Sequence, residues 1–243
     1  MSEIVNSERP TQFPNTRWTM VLRLRSASDV HRQRAFEELC QSYWRPLYTF
    51  ARRGGCSTHD AEDLTQGFLA QLLNRGDLGF LTPEKGQLRR FLKVSFQNFM
   101  TDEARRGMRQ KRGGPSAQWL DLESAERHYQ RHLSEAATPE EAFDRHWARI
   151  VLQRALGALR ERFRARGRSK TLDALEPYLG PDDQAPAYQE VARRIGQTEN
   201  TVAAAVSRMR REFRELLRCE IADTLGEGQD IDEELQYLLR VVE

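Results

Sequence analysis

The residues with the clearest potential to bind another molecule lie near the carboxyl end of the chain, where arginines recur beside small polar side chains. Residues 187–216 read AYQEVARRIGQTENTVAAAVSRMRREFREL. The pattern predicts a short helix, a left-handed turn at Gly196 and a longer helix capped by Thr198 or Asn200. Five apolar residues of the longer helix recur at helical spacing and predict a buried stripe: Val202, Val206, Met209, Phe213 and Leu216.

The face opposite this stripe has the composition of a surface that contacts duplex DNA. At about 100° per residue, it carries Asn200, Ala204, Ser207, Arg208 and Arg211. Small side chains permit close approach to a major groove, polar tips reach base edges and arginines hold phosphates. The pattern therefore predicts a helix-turn-helix. An ordinary amphipathic helix with solvated arginines stays open as the alternative, because such patterns also match by chance.

A second basic segment, residues 86–114, reads GQLRRFLKVSFQNFMTDEARRGMRQKRGG. Its predicted core stripe is Leu88, Phe91, Ser95, Phe96 and Phe99. The basic and polar residues expected outside that stripe are Arg89, Arg90, Lys93, Gln97, Arg105, Arg106, Arg109, Lys111 and Arg112. Asp102 can pair with Arg106 four residues on. Such a helix beside the loop at Phe80 and Leu81 suits single-stranded nucleic acid and a flipped base, and a solvated basic helix is the alternative.

An acidic segment, DAEDLTQGFLAQLL, precedes this basic helix. Its predicted exposed face comprises Asp60, Glu62, Asp63 and Gln66. Acidic side chains near a helix N-terminus stabilise the helix by interacting with its dipole. From these residues alone, this purely structural role is the preferred interpretation. The functional alternative is a docking face for a basic partner helix.

The composition of the chain limits the classes of protein to which it can belong. The chain has 243 residues, 39% of them apolar and 30% charged, with a net charge of +2. Affinity for nucleic acid must therefore come from local clustering of charge. Its three cysteines lack zinc-type spacing, and their odd number argues against a disulfide framework. No apolar stretch approaches the roughly 20 residues of a membrane span, and the N-terminus has no signal-peptide pattern, so we expect a cytoplasmic protein without membrane insertion.

The elements that must position these residues are all predicted to be helical. Helices are expected at about 60–73, with Ser57 or Thr58 as N-cap, and at about 87–108. An earlier segment, 34–52, contains Pro46, which must start a new helix or kink the existing one. The fold class is all-α, with two small helical domains joined by a polar linker. The predicted division is a polar leader at 1–15, a first domain at 16–112, a linker at 113–139, a second domain at 140–225 and an acidic tail at 226–243.

No residues converge in a catalytic pattern. His128 and His132 are four apart and could share a helix face, but no third metal ligand lies nearby, so solvated histidines are the preferred interpretation. Phosphate-cradling glycine loops and nucleophile motifs are missing from the sequence. We therefore expect no enzyme activity, no metal site and no cofactor.

The order of the motifs resembles a known family. AFEELCQSYWRPLYTFARR, DAEDLTQGFLAQLL and FLKVSFQNFMTDEARRGMRQKRG, followed by YQEVARRIGQTENTVAAAVSRMRREFREL, are similar to the bacterial sigma-70 family. The extracytoplasmic-function (ECF) group is the most similar part of it. The resemblance covers most of residues 35–217, and the leader FPNTRW and the tail EIADTL…DEELQYLL look like a subgroup of these factors.

The resemblance implies three binding surfaces and no catalysis. A surface for core RNA polymerase is implied at Asp60, Glu62, Asp63 and Gln66. Contact with the melted, single-stranded minus-ten promoter DNA is implied at Arg89, Arg90, Lys93, Asn98, Arg105, Arg106 and Arg109, with the loop at 73–86 holding a flipped base. Contact with the minus-thirty-five duplex is implied at Asn200, Thr201, Ala204, Ser207, Arg208 and Arg211. Asp102 is expected to orient neighbouring arginines, and the expected location is the nucleoid.

Two rival functions are kept beside this one. A free-standing helix-turn-helix repressor would bind duplex DNA without polymerase, and a protein–protein adaptor would carry its basic surfaces incidentally. The run VAAAV replaces a more basic start of the recognition helix, which leaves the promoter sequence open. Control by an anti-sigma factor or a kinase is also left open.

The acidic tail has two interpretations. Asp230, Asp232, Glu233 and Glu234 precede Leu235, Leu238 and Leu239. A solvated terminal helix is the preferred one. The alternative is a segment that folds back over a basic DNA-binding face and restrains it.

Overall fold

The computed structural model describes residues 29–74, 87–107, 122–131, 138–180, 185–222, 224–226 and 228–242. Several predicted features lie outside these residues: the leader at 1–15, the loop at Phe80 and Leu81, the basic residues Arg109, Lys111 and Arg112, and His132. The side chain of His128 is likewise outside the described part.

Every regular element in the described ranges is helical, which confirms the all-α fold class for that part of the chain. The helices are α1 (Asp29–Arg53), α2 (Thr58–Asn74), α3 (Leu88–Gly107), α4 (Leu122–Arg131), α5 (Pro139–Ala165), α6 (Ser169–Leu175), a 3₁₀ turn (Glu176–Leu179), α7 (Tyr188–Ile195), α8 (Glu199–Ala222) and α9 (Ile231–Val242).

The first two helices form largely as their sequences dictate. Helix α1 continues through Pro46, so the alternative that a new helix begins there is wrong. Its apolar residues at helical spacing, which include Leu39, Tyr43 and Leu47, are buried. Ser57 caps α2, since its Oγ accepts the amide N–H of Asp60 at 3.1 Å.

Aromatic side chains join α1, α2, α3 and α5. The ring of Phe96 lies 5.1 Å from that of Phe68 and 6.1 Å from that of Phe50. Phe50 also meets Phe143 of α5 edge to face at 6.5 Å. These rings are all buried and well within the distances at which aromatic pairs attract. They fix α3 against the helices that surround it.

Helix α5 is the central element. It begins at a capping box, in which Thr138 and Glu141 exchange side-chain-to-backbone hydrogen bonds. It packs against α1 on one side and against α8 and α9 on others. Arg154 of α5 donates to the hydroxyl of Ser42 in α1 at 2.6 Å. The buried residues of both predicted domains consequently form one continuous cluster, and the division into two domains stays a prediction.

None of the described helices combines the length and apolar character that crossing a bilayer requires.

Candidate nucleic-acid interface

The turn between α7 and α8 is closed by backbone and side-chain hydrogen bonds. Gly196 has φ 66° and ψ 38°, the left-handed conformation that favours glycine. The N–H of Gln197 then reaches the carbonyl of Ala192 at 2.9 Å. Thr198, and not Asn200, caps α8, because its Oγ1 accepts the N–H of Thr201 at 3.2 Å. Each end of the turn is therefore satisfied without a ligand.

Helix α8 lies with its apolar stripe inward. Val202, Val206, Met209 and Leu216 are buried, and Phe213 is half-buried. The residues opposite form the α8 outer face, and all six are exposed: Asn200, Thr201, Ala204, Ser207, Arg208 and Arg211. Neither arginine of that face has an ion-pair partner in the part of the chain that the structure describes. The face therefore presents uncompensated positive charge beside small side chains.

Other arginines hold α8 in place rather than facing outward. Arg210 donates to the carbonyl of Tyr178 at 2.8 Å, and the hydroxyl of Tyr178 donates to the carbonyl of Pro186 at 2.8 Å. Arg166, just beyond α5, makes two hydrogen bonds of 3.0 Å to Glu212. These contacts fix the rotation of α8 about its axis, and with it the direction of the α8 outer face.

Helix α3 carries an exposed polar surface along its length. Arg90, Asn98, Arg105 and Arg106 are all exposed. The expected pair of Asp102 with Arg106 does not form. Instead Asp102 lies 3.7 Å from Arg105, and Arg106 pairs with Glu103 at 2.6 Å. Both are exposed pairs within one helix, which water and salt weaken, so the arginines can exchange them for a phosphate.

A cavity of about 250 Å³ opens between α2 and α3. Phe68, Phe91 and Phe99 supply apolar walls, and Asn98 and Asp102 supply hydrogen-bonding groups. The helices approach closely because α2 has a glycine there: a Cβ on Gly67 would lie 3.3 Å from the ring of Phe99. An aromatic wall with polar groups at its rim suits a planar group that stacks and also forms hydrogen bonds.

The acidic face of α2, comprising Asp60, Glu62, Asp63 and Gln66, is only partly presented to solvent. Asp60 and Asp63 are exposed, and Glu62 is half-buried. Gln66 is 7% exposed, and its amide donates to Glu62 at 2.9 Å. Gln66 therefore orients Glu62 from within the fold, while the two aspartates are accessible to a partner.

The structure departs from the sequence-based expectation at Arg89 and Lys93, which the spacing predicts on the outer side of α3. Both lie in a buried ion cluster, which comprises Arg89, Lys93, Asp144, Glu234 and Tyr237. Arg89 is only 6% exposed. The physical reason is that α5 and α9 also cover the side of α3 that lies next to its fully buried stripe of Leu88, Leu92 and Phe96.

Burial and the neighbouring carboxylates have opposite effects on the pKa of Arg89 in this cluster. Burial alone would lower the pKa of Arg89, but the hydrogen bonds and charge of Glu234, together with the charge of Asp144, raise it above its usual value. Burial and a hydrogen bond to Asp144 raise the pKa of Tyr237 to about 12. Arg89 is thus charged and Tyr237 protonated throughout the physiological range.

Sequence reasoning also missed a second ion cluster, which ties α4 to α1. Arg52 donates to both carboxylate oxygens of Glu126, at 3.0 and 2.8 Å, and the hydroxyl of Tyr48 donates to the same carboxylate. Arg52 also lies 4.8 Å from the ring centroid of Tyr129. The hydrogen bonds from Arg52, opposed by burial and aided by Tyr48, lower the pKa of Glu126 to about 2.

In the described ranges no group of three or more His, Cys, Asp or Glu side chains is placed to hold a metal ion. Cys40 is buried, Cys56 half-buried and Cys219 exposed, and all three are free thiols. Burial raises the pKa of Cys40 to about 12, which makes it an inert core residue.

Comparisons of the chain with protein-family models, with curated proteins and with solved structures found no match.

Proposed function

We propose that this chain is a sigma factor of the extracytoplasmic-function type, a bacterial subunit that binds core RNA polymerase and directs it to promoters. The observation that carries the proposal is the α8 outer face: six exposed residues on a capped, firmly held helix, with two arginines that no acid within the described ranges pairs. The chain itself would perform no catalysis.

Recognition of the upstream duplex is assigned to α7 and α8, acting as a helix-turn-helix. Thr198 and Gly196 shape the turn, and Asn200 and Thr201 stand at the N-terminus of α8, the end of a recognition helix that contacts base edges. Ala204 and Ser207 permit close approach to the groove. Arg208 and Arg211 follow within reach of base edges or phosphates.

Capture of the opened strand is assigned to the exposed part of α3 and to the cavity beside it. Arg90, Arg105 and Arg106 supply positive charge along one helix. The cavity offers aromatic stacking together with the amide of Asn98 and the carboxylate of Asp102, the combination that an unstacked base needs. Arg89 and Lys93 contribute only after the buried ion cluster opens.

Docking on core polymerase is assigned to the acidic face of α2. Asp63 is the best single probe, because it is exposed and pairs with His59 at 3.7 Å on the same exposed turn. Reversal of its charge therefore changes the surface without removing a buried contact.

The test is equilibrium binding of the full chain to core RNA polymerase. We expect Asp63→Arg to weaken binding at least about 100-fold, since like charges placed opposite each other at an interface cost several kcal/mol. Asp173→Arg is the matched control, as Asp173 is an exposed acid on α6, and it should bind as the wild type does. Equal affinity of all three proteins would remove the assignment of α2, and no binding by any of them would remove the proposed function.

A further inference from the structure

The acidic C-terminal helix is not a solvated end but part of the buried ion cluster. Glu234 of α9 is 3% exposed and binds Arg89 through two hydrogen bonds, Nε to Oε1 at 2.6 Å and Nη2 to Oε2 at 3.0 Å. The remaining nitrogen, Nη1, donates to Asp144 at 2.9 Å. Lys93 and the hydroxyl of Tyr237 both donate to the other oxygen of Asp144, each at 2.7 Å.

Two aromatic rings also lie against the Arg89 guanidinium. The carbon of the group lies 4.5 Å from the ring centroid of Tyr237 and 5.0 Å from that of Trp147. Each of the three nitrogens already donates one hydrogen bond, and the side chain is almost completely buried, so a DNA phosphate has no access to it. Arg89 cannot contact DNA while α9 is in this position.

The carboxylate of Glu234 also has the chemistry of the group that it excludes. A carboxylate and a phosphate both present two oxygens at the spacing that a guanidinium binds with paired hydrogen bonds. A DNA phosphate that approached this part of α3 would require the same donors of Arg89. Glu234 therefore competes with the DNA strand, because it occupies the N–H donors of Arg89 that a phosphate would need.

We propose that α9 is an autoinhibitory clasp, which in the free protein holds Arg89 in the buried ion cluster and withholds it from the opened DNA strand. The inference rests on the strand-capturing role proposed for α3. It extends that role by making access to one of its cations, Arg89, conditional on release of α9.

The clasp is built so that it can be released. Helix α9 has 12 residues, too short to be stable by itself in water. It is held by Leu235 and Leu238, which are buried, and by Ile231, Val241 and Val242, which are partly buried against the core. An exposed ion pair of Asp232 with Arg218 and the buried ion cluster hold it as well. Leu239, which follows Leu238, is 45% exposed. The ion cluster is therefore one of several restraints on α9, and it is the one that involves Arg89.

The test compares two full-length variants with the same change of charge on the same helix. Glu234→Gln removes the charge inside the cluster and keeps its shape, while Glu233→Gln removes an exposed charge one residue away. Amide hydrogen exchange of α9 reports release of the clasp. Fluorescence anisotropy with a labelled single strand of about 20 thymidines, a length sufficient for a strand-binding groove, reports access to DNA.

We expect Glu234→Gln to speed exchange in α9 and to tighten binding to the strand about tenfold relative to Glu233→Gln, as when a binding-competent state rises from about a tenth to most of the population. Adding Arg89→Gln to Glu234→Gln should abolish that gain. Tyr237→Phe, which removes one hydrogen bond and keeps the ring, should show a smaller change in the same direction.

Two results would overturn the clasp. If exchange in α9 rises and the affinities for the strand stay equal, α9 only braces the fold. If exchange does not change, the ion cluster does not hold α9 in place. Failure of the proposed function shows separately, as an absence of binding between the wild-type chain and core polymerase.

Discussion

Arginine side chains in this protein serve two opposite purposes, and their spacing in the sequence does not separate them. Arg208 and Arg211 face solvent, as the pattern of α8 predicts. Arg89 follows an equally regular pattern and is buried. Its partners Asp144 and Glu234 are 55 and 145 residues away, so nothing in its local sequence reveals them.

Arg208 is the residue at which base recognition can be tested. We expect Arg208→Ala to weaken binding to the upstream duplex by about 1–3 kcal/mol and to relax its sequence preference, the signature of a lost base contact. Arg164→Ala removes the same charge from an exposed position on α5 and should cost much less. Affinities measured on the selected duplex and on a scrambled one check this, and a uniform loss on both would reassign Arg208 to a phosphate.

The lowered pKa of Glu126 should make the stability of the protein depend on pH. Its pKa in the folded protein, about 2, lies below the ordinary value of 4.5. The ionised form therefore stabilises the fold above about pH 4.5, and that contribution fades as the pH falls toward 2. We expect Glu126→Gln to lower the free energy of unfolding by about 1–2 kcal/mol near neutral pH.

Urea unfolding at several pH values measures the difference between wild type and Glu126→Gln, which should shrink steadily as the pH falls below about 4.5. Glu161→Gln, in an exposed pair with Arg164, is the control and should have a small effect at every pH. A difference that grows in acid would contradict the assigned pKa.

At the scale of the elements, local signals predict most of the structure. The caps at Ser57 and Thr198 and the turn at Gly196 follow from side-chain chemistry within a few residues. Helix α4 is harder to predict, because its position depends on Glu126 meeting Arg52, 74 residues away. Pro46 is tolerated inside α1, which shows tertiary packing prevailing over a local preference.

Replacement of glycine by alanine should change the stability of the protein in opposite directions at two positions. Gly196 has φ 66°, and no residue other than its chain neighbours comes within 4 Å of the position that a Cβ would take. Gly196→Ala therefore meets only backbone strain and should destabilise the protein by about 1–2 kcal/mol. Gly157 lies within α5 and is equally uncrowded, so Gly157→Ala should stabilise it by about 0.5–1 kcal/mol. Thermal unfolding checks both, and equal signs would contradict the left-handed turn.

At the scale of the whole molecule, the sequence predicts two helical domains on a tether, while the described helices share one continuous core. Composition indicates a polar linker, but it contains no information about how α5 packs against α1 and α8 together. In this arrangement the α8 outer face is exposed to solvent, whereas Arg89 and Lys93 lie in the buried ion cluster. We therefore expect the free chain to meet duplex DNA more readily than an opened strand.

The central claim is that the chain confers promoter selection on core RNA polymerase. It is tested most directly by in vitro transcription from a library of bacterial promoter fragments, with and without the chain, followed by sequencing of the 5′ ends. We predict transcripts that require both the chain and the core enzyme and that start downstream of a shared two-part sequence. Transcripts independent of the chain, together with tight binding of the chain alone to a palindromic duplex, would contradict the account and favour a repressor.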